Sequence, residues 1–351
     1  MVLVSNSPLE ISVEKTIFTD SFMRHQTFRV IFLALAIVGL ITNNNLSAQS
    51  EPQFTQHMFN RYLFNPAYAG SVDALEVSAL HRSQYVSLAS RFIATQGVNI
   101  NIPVYAISSG VGITAINDIA GYQRSTYVAF NYDYRKNFKW GKMGVGIGVG
   151  IIQTSIAGDK LRAPDGVYSG GVNHNDNLLP DNLQQGIAPD FSFGLYFNND
   201  KYYAGASVNH IVLSSATIKA EGGNSKLSFA RNLFFTGGYD FKVSNKLSIM
   251  PSLILKTDLK KVQMDVSATF TVINNIITGI SFRGYSKKTI DALGLFLGMK
   301  YKGFQLVYSY DANLSYLTKF NTGSHEISLS YRYPLKKKES KGYYYHNPRF
   351  N

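Results

Sequence analysis

The sequence contains no cysteine, and only 16% of its 351 residues are charged. The absence of cysteine excludes disulfides, thiolate metal sites and cysteine nucleophiles. A charged fraction this low is unusual for a soluble α/β enzyme. Tyrosine and phenylalanine, by contrast, supply 23 residues each, and there are 29 glycines. This composition favours an aromatic-rich β protein.

The sequence also lacks an apolar run long enough to cross a bilayer as a helix, which needs about 20 residues. Its longest run, residues 30–41, follows two arginines and precedes the small residue Ala48. This combination predicts a secretory signal peptide over residues 1–48. Met23 lies where such a signal would begin, so we expect translation to start there and the mature chain to begin at Gln49.

After the first 73 residues, apolar and polar residues alternate, most clearly over residues 262–272, 304–311 and 325–333. Period-two alternation places one set of side chains on each face of a β-strand. One face suits hydrocarbon and the other suits water. We therefore predict an all-β fold, a transmembrane antiparallel up-and-down β-barrel over residues 74–334. The fourteen predicted strands are 74–82, 91–102, 108–118, 123–134, 142–155, 189–197, 202–211, 232–242, 246–257, 262–272, 276–283, 289–301, 304–311 and 324–333.

The connections between the predicted strands alternate between short and long. Residues typical of tight hairpins follow strands six, eight, ten and twelve, at positions 199–200, 244–245, 274–275 and 302–303. The longest connections are residues 156–188, 212–231 and 312–323. Outer-membrane barrels have short periplasmic turns and long outer loops. We therefore predict an outer-membrane location with both termini in the periplasm.

Aromatic residues cluster at the short-turn ends of the predicted strands. Amphipathic rings at one level around a barrel form an interfacial girdle, which predicts outer-membrane lipid as a partner. The rings assigned to this girdle are Tyr132, Tyr134, Phe138, Trp140, Tyr196, Phe197, Tyr202, Tyr203, Tyr239, Phe241, Tyr301, Phe304, Tyr331 and Tyr333.

One predicted strand has glycine at four alternating positions. These glycines are Gly144, Gly146, Gly148 and Gly150. A phosphate-binding glycine loop requires a helix after the glycines, and no helix pattern follows. We interpret them instead as a bare lumen face that leaves room for something inside. Lumen charges look isolated, at Asp265, Glu326 and Arg332, which favours a plugged barrel over a conducting one.

Residues that could carry chemistry lack the spacing of a known site. The loop over residues 157–188 holds several aspartates and His174, without the ligand spacing of an EF-hand. The other mature histidines have no pairwise metal-ligand spacing. We predict no cofactor and no enzymatic activity, and leave a hydrolase assembled in space from the loops as a remote alternative. The net charge of +12 is mostly scattered, which does not favour nucleic acid as a partner.

Residues 51–71 differ from the rest of the mature chain because they are rich in aromatic residues but do not alternate. Phe54, Met58 and Tyr62 are spaced to line one side of a short helix that ends at Asn65-Pro66. Disordered segments are poor in aromatic residues, so we expect this stretch to be buried. The barrel lumen is the available place, and we predict a plug-like segment within residues 49–73.

The same stretch resembles the N-terminal signature of the PorP/SprF family, outer-membrane components of the type IX secretion and gliding machinery of Bacteroidota. The matching residues are Pro52, Gln53, Phe54, Thr55, Gln56, Met58, Phe59, Asn60, Asn65, Pro66, Ala67, Tyr68, Ala69, Gly70 and Ser71. Glu51 stands where the family often has aspartate, and His57 replaces a commoner aromatic residue. The C-terminal Asn347, Pro348, Arg349 and Phe350 also resemble the family's ending, extended here by Asn351.

This resemblance implies a fourteen-stranded, non-enzymatic barrel that helps export or retain large surface proteins by binding their C-terminal sorting domain. It also implies periplasmic components of the secretion system as partners. The residues themselves leave a second reading open, a channel or transporter for small solutes or hydrophobic ligands.

The tail after the last predicted strand, residues 335–351, is basic and aromatic. Its candidate docking residues are Lys336, Lys337, Lys338, Tyr343, Tyr344, Tyr345, Arg349 and Phe350. We predict that it docks to periplasmic machinery, with a solvated tail as the alternative.

Overall fold

The computed structural model describes residues 51–87, 93–220, 223–285, 289–314, 319 and 321–335. The predicted signal peptide and the candidate docking residues of the tail lie outside these ranges. The strands within them are β1 (Ala74–Gln84), β2 (Ile93–Val104), β3 (Ser109–Ala120), β4 (Gln123–Phe138), β5 (Gly141–Ala157), β6 (Leu183–Asn198), β7 (Tyr202–Asn209), β8 (Ser215–Ala220), β9 (Gly223–Ser228), β10 (Asn232–Tyr239), β11 (Phe241–Ser244), β12 (Leu247–Thr257), β13 (Val262–Val272), β14 (Ile276–Tyr285), β15 (Thr289–Tyr301), β16 (Phe304–Asn313) and β17 (Ser324–Pro334).

The strands form a closed antiparallel barrel. β1 pairs with both β2 and β17, which joins the first strand to the last. β10 pairs with β7 on one side and β12 on the other, while β8 and β9 form a separate two-stranded sheet. β11 follows β10 after Asp240 and pairs with the beginning of β12, so the two occupy one position in the wall. The cylinder therefore has fourteen strand positions, which confirms the predicted strand number.

The two faces of the wall have opposite chemistry. On β13, Met264 and Val266 point outward and are 44% and 40% exposed, whereas Asp265 and Ser267 point inward and are each 2% exposed. A soluble protein buries its apolar side chains and exposes its charged ones. The reverse arrangement suits a cylinder surrounded by hydrocarbon with a polar interior.

One end of the barrel is closed by short turns, called here the short-turn end. Tyr301 pairs with Phe304 across Lys302 and Gly303, whose φ angles are 46° and 87°. Two positive φ angles define the type I′ turn that matches the twist of paired strands. In the β13–β14 turn, Ile273 and Asn274 have φ angles of 50° and 62°, so the turn begins one residue before the predicted 274–275. β1 begins and β17 ends at this same end.

The opposite end carries the longer connections and is called here the long-loop end. Four three-residue 3₁₀-helices complete the described structure, at Arg61–Leu63, Pro66–Tyr68, Tyr105–Ile107 and Gly158–Lys160. None of the helices in the described ranges is long and apolar enough to cross a membrane.

Three predicted boundaries were wrong. β6 begins at Leu183 instead of residue 189, the predicted strand 232–242 is divided between β10 and β11, and the predicted loop 212–231 contains β8 and β9. β8 and β9 have only six residues each, which is too few for an alternating pattern to be recognised. They fold over the inner face of β6, where a Cβ added to Gly186 would lie 2.5 Å from the carbonyl oxygen of Thr217.

Candidate functional site in the barrel interior

Residues 51–71, called here the N-terminal segment, run through the barrel interior from the long-loop half to the short-turn end. Near its beginning, the Gln84 side chain at the end of β1 donates to the Gln53 side chain (3.3 Å). Halfway along, the Asn65 amide donates to the carbonyl oxygen of Leu195 on β6 (2.9 Å). Near its end, the Gly70 N–H donates to Asn101 on β2 (3.0 Å). Most of the predicted signature residues are therefore brought together as one buried strip.

The segment is built from tight turns. The N–H groups of Phe59 and Asn60 both donate to the Gln56 carbonyl, and the two 3₁₀-helices follow. Asn65 caps the second helix by accepting from the Ala67 N–H (2.9 Å), and Pro66 occupies its first position. The prediction of a single helix ending at Asn65-Pro66 was wrong, because proline has no N–H to lose at a helix start and so begins a helix there.

Three apolar contacts hold the segment to different walls. Phe64, which packs edge-on against Phe54 of the same segment (5.9 Å), packs against Phe234 of β10, with 5.6 Å between ring centroids. Phe59 packs in the same way against Phe296 of β15 (5.8 Å), and Met58 lies in the same cluster. Tyr68 packs against Tyr196 of β6 (5.3 Å). Phe54, Met58 and Tyr62 belong to three separate clusters and do not share one side of a helix, as the sequence had suggested.

The alternating glycines of β5 leave room for the segment at two of their four positions. A Cβ added to Gly146 would lie 2.4 Å from the backbone nitrogen of Ala67, and one added to Gly144 would lie 2.9 Å from the Ala67 carbonyl oxygen. Cβ atoms at Gly148 and Gly150 would instead meet neighbouring wall residues, Asn131 and Ala129 among them. All four glycines face inward, while the valine and isoleucine residues between them are exposed.

An arginine fixes the segment near the short-turn end. The Arg135 guanidinium on β4 donates to the carbonyl oxygens of Ala67 (2.8 Å) and Ala69 (3.2 Å). The same nitrogen donates to Asp133 (2.6 Å), which is fully buried. Both partners of this buried ion pair point inward from one strand, so a charged pair binds backbone carbonyls that the tight turns leave without N–H partners.

A buried ionic cluster fixes the other end of the segment at Thr55. Arg82 of β1 donates to Asp311 (2.8 Å), Glu326 (3.0 Å) and the Thr55 hydroxyl (3.0 Å). That hydroxyl donates to Asp311 (2.6 Å), and the backbone N–H groups of Thr55 and Gln56 donate to the two oxygens of Glu326 (2.8 and 3.1 Å). The segment therefore supplies part of the hydrogen bonding that the buried charges require.

The cluster continues to a second arginine. Arg283 of β14 donates to Asp265 (3.1 Å), to Asp311 (3.3 Å) and to the Thr55 hydroxyl (3.2 Å). The expectation of isolated lumen charges was therefore wrong for Asp265 and Glu326. It was also wrong for Arg332, which donates to Glu76 at 2.7 Å. The pairs Arg82–Glu326 and Arg332–Glu76 join β1 to β17, which are adjacent only after the barrel closes, whereas Arg283 and Asp265 face each other within the β13–β14 hairpin.

A third polar contact lies where the segment begins. His210, the first residue after β7, contacts Asp190 through Nδ1 (2.7 Å) and Glu51 through Nε2 (2.8 Å). Burial lowers the pKa of His210, but the hydrogen bonds to both carboxylates and their charges outweigh burial and raise it to about 10. His210 is therefore positively charged at neutral pH, so both ring nitrogens donate and bind Glu51 to the wall.

The segment leaves part of the interior unfilled. A cavity of about 500 Å³ lies in the long-loop half, partly open to the outside. Glu51 and Asp118 supply carboxylates to its lining, and Asp118 accepts from Thr95 (2.6 Å). Neutral residues of β2, β3 and β4, such as Ile116 and Ser125, form much of the rest.

Sequence reasoning missed these buried charges although the signal was present. On β1, β14 and β16, every second residue faces inward, and most of these residues are polar. Arg82, Arg283 and Asp311 occupy such inward positions. A charged residue inside a membrane barrel is costly unless it is paired. Several charges at inward positions therefore predict a network, although not which residues pair.

The predicted aromatic girdle is confirmed only in part, because two of its members face inward. Tyr196 and Tyr203 are 2% and 6% exposed and pack against the N-terminal segment, whereas Trp140 and Tyr301 are 59% and 60% exposed on the outside. In the part of the chain that the structure describes, no three His, Cys, Asp or Glu side chains are arranged to hold a metal ion.

The closed fourteen-stranded wall, the apolar exterior and the buried polar interior define an outer-membrane β-barrel. A family model described as type IX secretion system membrane protein PorP/SprF matches residues 46–331. The chain therefore belongs to the PorP/SprF family, as its signature residues predicted.

Among solved structures, the chain is similar to the Ralstonia pickettii toluene transporter TbuX, with 10% identity and a TM-score of 0.45 over 83% of this chain and 96% of that one. It is also similar to a Pseudomonas aeruginosa FadL homologue, with 9% identity and a TM-score of 0.47 over 82% and 95% of the two chains. The P. putida toluene transporter TodX gives 8% identity and a TM-score of 0.48 over 79% and 94%. No curated protein matches the sequence.

Proposed function

We propose that this protein is a non-enzymatic accessory barrel of the type IX secretion and gliding machinery. It helps export or retain a large secreted protein by holding part of that protein's C-terminal sorting domain. Family membership supports the assignment to the machinery. The proposal requires no catalytic step, because docking uses shape and hydrogen bonds alone.

The observation that carries the proposal is an interior filled at one end and open at the other. The N-terminal segment is tied to the wall at Thr55, Asn65 and Ala67. The cavity of about 500 Å³ lies beside the start of the segment, in the long-loop half. A cavity that is closed at one end and open at the other suits insertion of a loop or strand end from the cargo. The segment acts as the plug that forms its floor.

The geometry favours this function over a channel for small solutes. A conducting pore needs a continuous water-filled path, and porins select solutes with rings of lumen charge. Here Arg82 forms ion pairs with Asp311 and Glu326, and Glu326 also accepts a hydrogen bond from the segment, so these charges are already paired. Cavity residues such as Ser125 and Thr95 already bond to Thr154 and Asp118, but their hydroxyl oxygens keep lone pairs that can accept from a guest backbone.

Filling the cavity tests the proposal. The probe is the purified C-terminal sorting domain of a type IX secreted protein from the same organism, and the assay is co-purification with the tagged full-length barrel. Ser125→Trp places a large ring in the cavity and is expected to reduce retention at least tenfold. Asn224→Trp, on the exposed β8–β9 hairpin, is the matched control and is expected to retain the domain. Equal retention by wild type and Ser125→Trp would contradict docking in the cavity.

A further inference from the structure

Six aromatic rings follow one another along five of the fourteen strand positions at the short-turn end. They lie at the short-turn ends of β4, β6, β7, β10 and β11 and in the β4–β5 turn, and are Phe138, Trp140, Phe197, Tyr202, Tyr239 and Phe241. Successive centroids are 5.2, 4.8, 5.3, 6.3 and 4.3 Å apart. We call this row the ring ladder. Its rings belong to adjacent hairpins, so it is a continuous surface of the folded barrel.

The ladder faces away from the barrel interior. Trp140 and Phe241 are 59% and 51% exposed, and Phe138 is 38% exposed. The inward neighbours on the same strands, such as Tyr203, are buried against the N-terminal segment. An outward ring near the end of a membrane strand lies at the depth of the lipid headgroups, where aromatic side chains are favoured.

Lysines accompany the ladder along its whole length. The ammonium of Lys136 lies 5.6 Å from the centroid of the Phe138 ring. The other exposed lysines in the same hairpin ends are Lys139, Lys201, Lys242 and Lys246, while Lys142 is half-buried and pairs with Asp73. Only two carboxylates, Asp200 and Asp240, lie in these turns, and Asp240 already accepts a hydrogen bond from Ser248. The surface therefore combines apolar rings with an excess of positive charge.

We propose that the ring ladder and its lysines form a binding site for anionic phospholipid headgroups. The rings contact the glycerol and upper acyl region, and the ammonium groups bind the phosphate and any further negative charge of the headgroup. Lipid is the occupant that the geometry favours, because the rings point sideways from the wall into the bilayer. An acidic protein approaching the end of the barrel would meet the lysines but not the rings.

Native mass spectrometry of the full-length barrel in detergent tests the proposal, with phosphatidylglycerol and phosphatidylcholine of matched chains as probes. Wild type is expected to retain phosphatidylglycerol preferentially. A lysine near an anionic surface contributes about fivefold in affinity, so Lys136→Gln/Lys139→Gln/Lys201→Gln is expected to lose at least tenfold of this retention. The triple variant removes no contact with the N-terminal segment, so the barrel is expected to stay folded.

The matched control removes the same charge at the other end of the barrel. Lys160, Lys219 and Lys226 are exposed in the long-loop connections, and changing all three to Gln is expected to leave phosphatidylglycerol retention unchanged. Equal loss in both triple variants, or no preference of the wild type for phosphatidylglycerol, would overturn the proposal. Trp140→Ala separates the ring contribution and is expected to weaken binding of both lipids.

Discussion

At the scale of single residues, the interior is organised by buried charges that bind one another and the N-terminal segment. Arg82 contacts two carboxylates and the Thr55 hydroxyl, and each of these groups is almost completely buried. Removing one partner of a buried ion pair leaves an uncompensated charge, which typically costs 3–5 kcal/mol. An exposed pair contributes at most about 1 kcal/mol. The two kinds of pair therefore predict different outcomes on mutation.

Replacing Arg82 with alanine is expected to lower the free energy of unfolding by about 3 kcal/mol or more, because Asp311 and Glu326 lose their shared cation. The measurement is unfolding in detergent followed by the heat-dependent gel shift of the barrel. Lys142→Ala is the control, since its pair with Asp73 is 35% and 60% exposed, and its effect should stay below about 1 kcal/mol. Equal effects of the two substitutions would argue against the buried cluster.

Gly146 gives a second prediction at this scale. An added methyl group would lie 2.4 Å from Ala67, so Gly146→Ala is expected to displace the N-terminal segment and cost about 1–3 kcal/mol. Gly237→Ala is the control, because the nearest atom to its added Cβ is 3.7 Å away. Limited proteolysis reports the segment directly. Faster cleavage within residues 51–71 is expected only for the first variant.

At the scale of elements, sequence patterns predicted the strands well and the interior poorly. Alternation identifies a strand wherever one face meets lipid and the other a polar interior, as along β13 and β15. It fails for β8 and β9, which are short and lie over the inner wall. The pairing of Arg82 with Asp311 could not be predicted, because it spans 229 positions and depends on closure of the sheet.

The segment was recognisable as buried but not as a chain of turns. Its aromatic content predicted burial, yet Phe59, Phe64 and Tyr68 each pack against a different strand, and only closure of the barrel determines which strand lies nearby. Asn65 shows this well, because it caps a 3₁₀-helix and also bonds to Leu195 on β6. The role of the N-terminal segment in sealing the lumen stays a prediction.

The contact between the start of the segment and the wall predicts a pH dependence. The folded pKa of His210 is raised to about 10, above its ordinary value near 6.5. The stabilisation is therefore complete below about pH 6.5 and is lost as the pH rises through about 10. The thermal midpoint of wild type should exceed that of His210→Asn at neutral pH, and the difference should shrink by pH 10.5. His325→Asn, whose ring contacts Tyr308, should show no such convergence.

At the scale of the whole molecule, the protein is a cylinder whose interior is occupied by its own chain. An even number of strands places the start of β1 and the end of β17 at the same end of the barrel. This is the reason for the prediction that both termini are periplasmic. It takes no account of a segment that crosses the interior, and Glu51 lies in the long-loop half beside His210. Which end faces the periplasm stays a prediction from the lengths of the connections.

Planar-bilayer recording tests the central claim that the N-terminal segment blocks the path through the lumen. Purified wild type is expected to show no steady conductance, because the segment contacts the wall from Thr55 to Gly70. A variant lacking residues 52–64, checked for an intact barrel by its heat-dependent gel shift, is expected to give a steady open current. A wild-type barrel that conducts as well as this deletion variant would contradict the account.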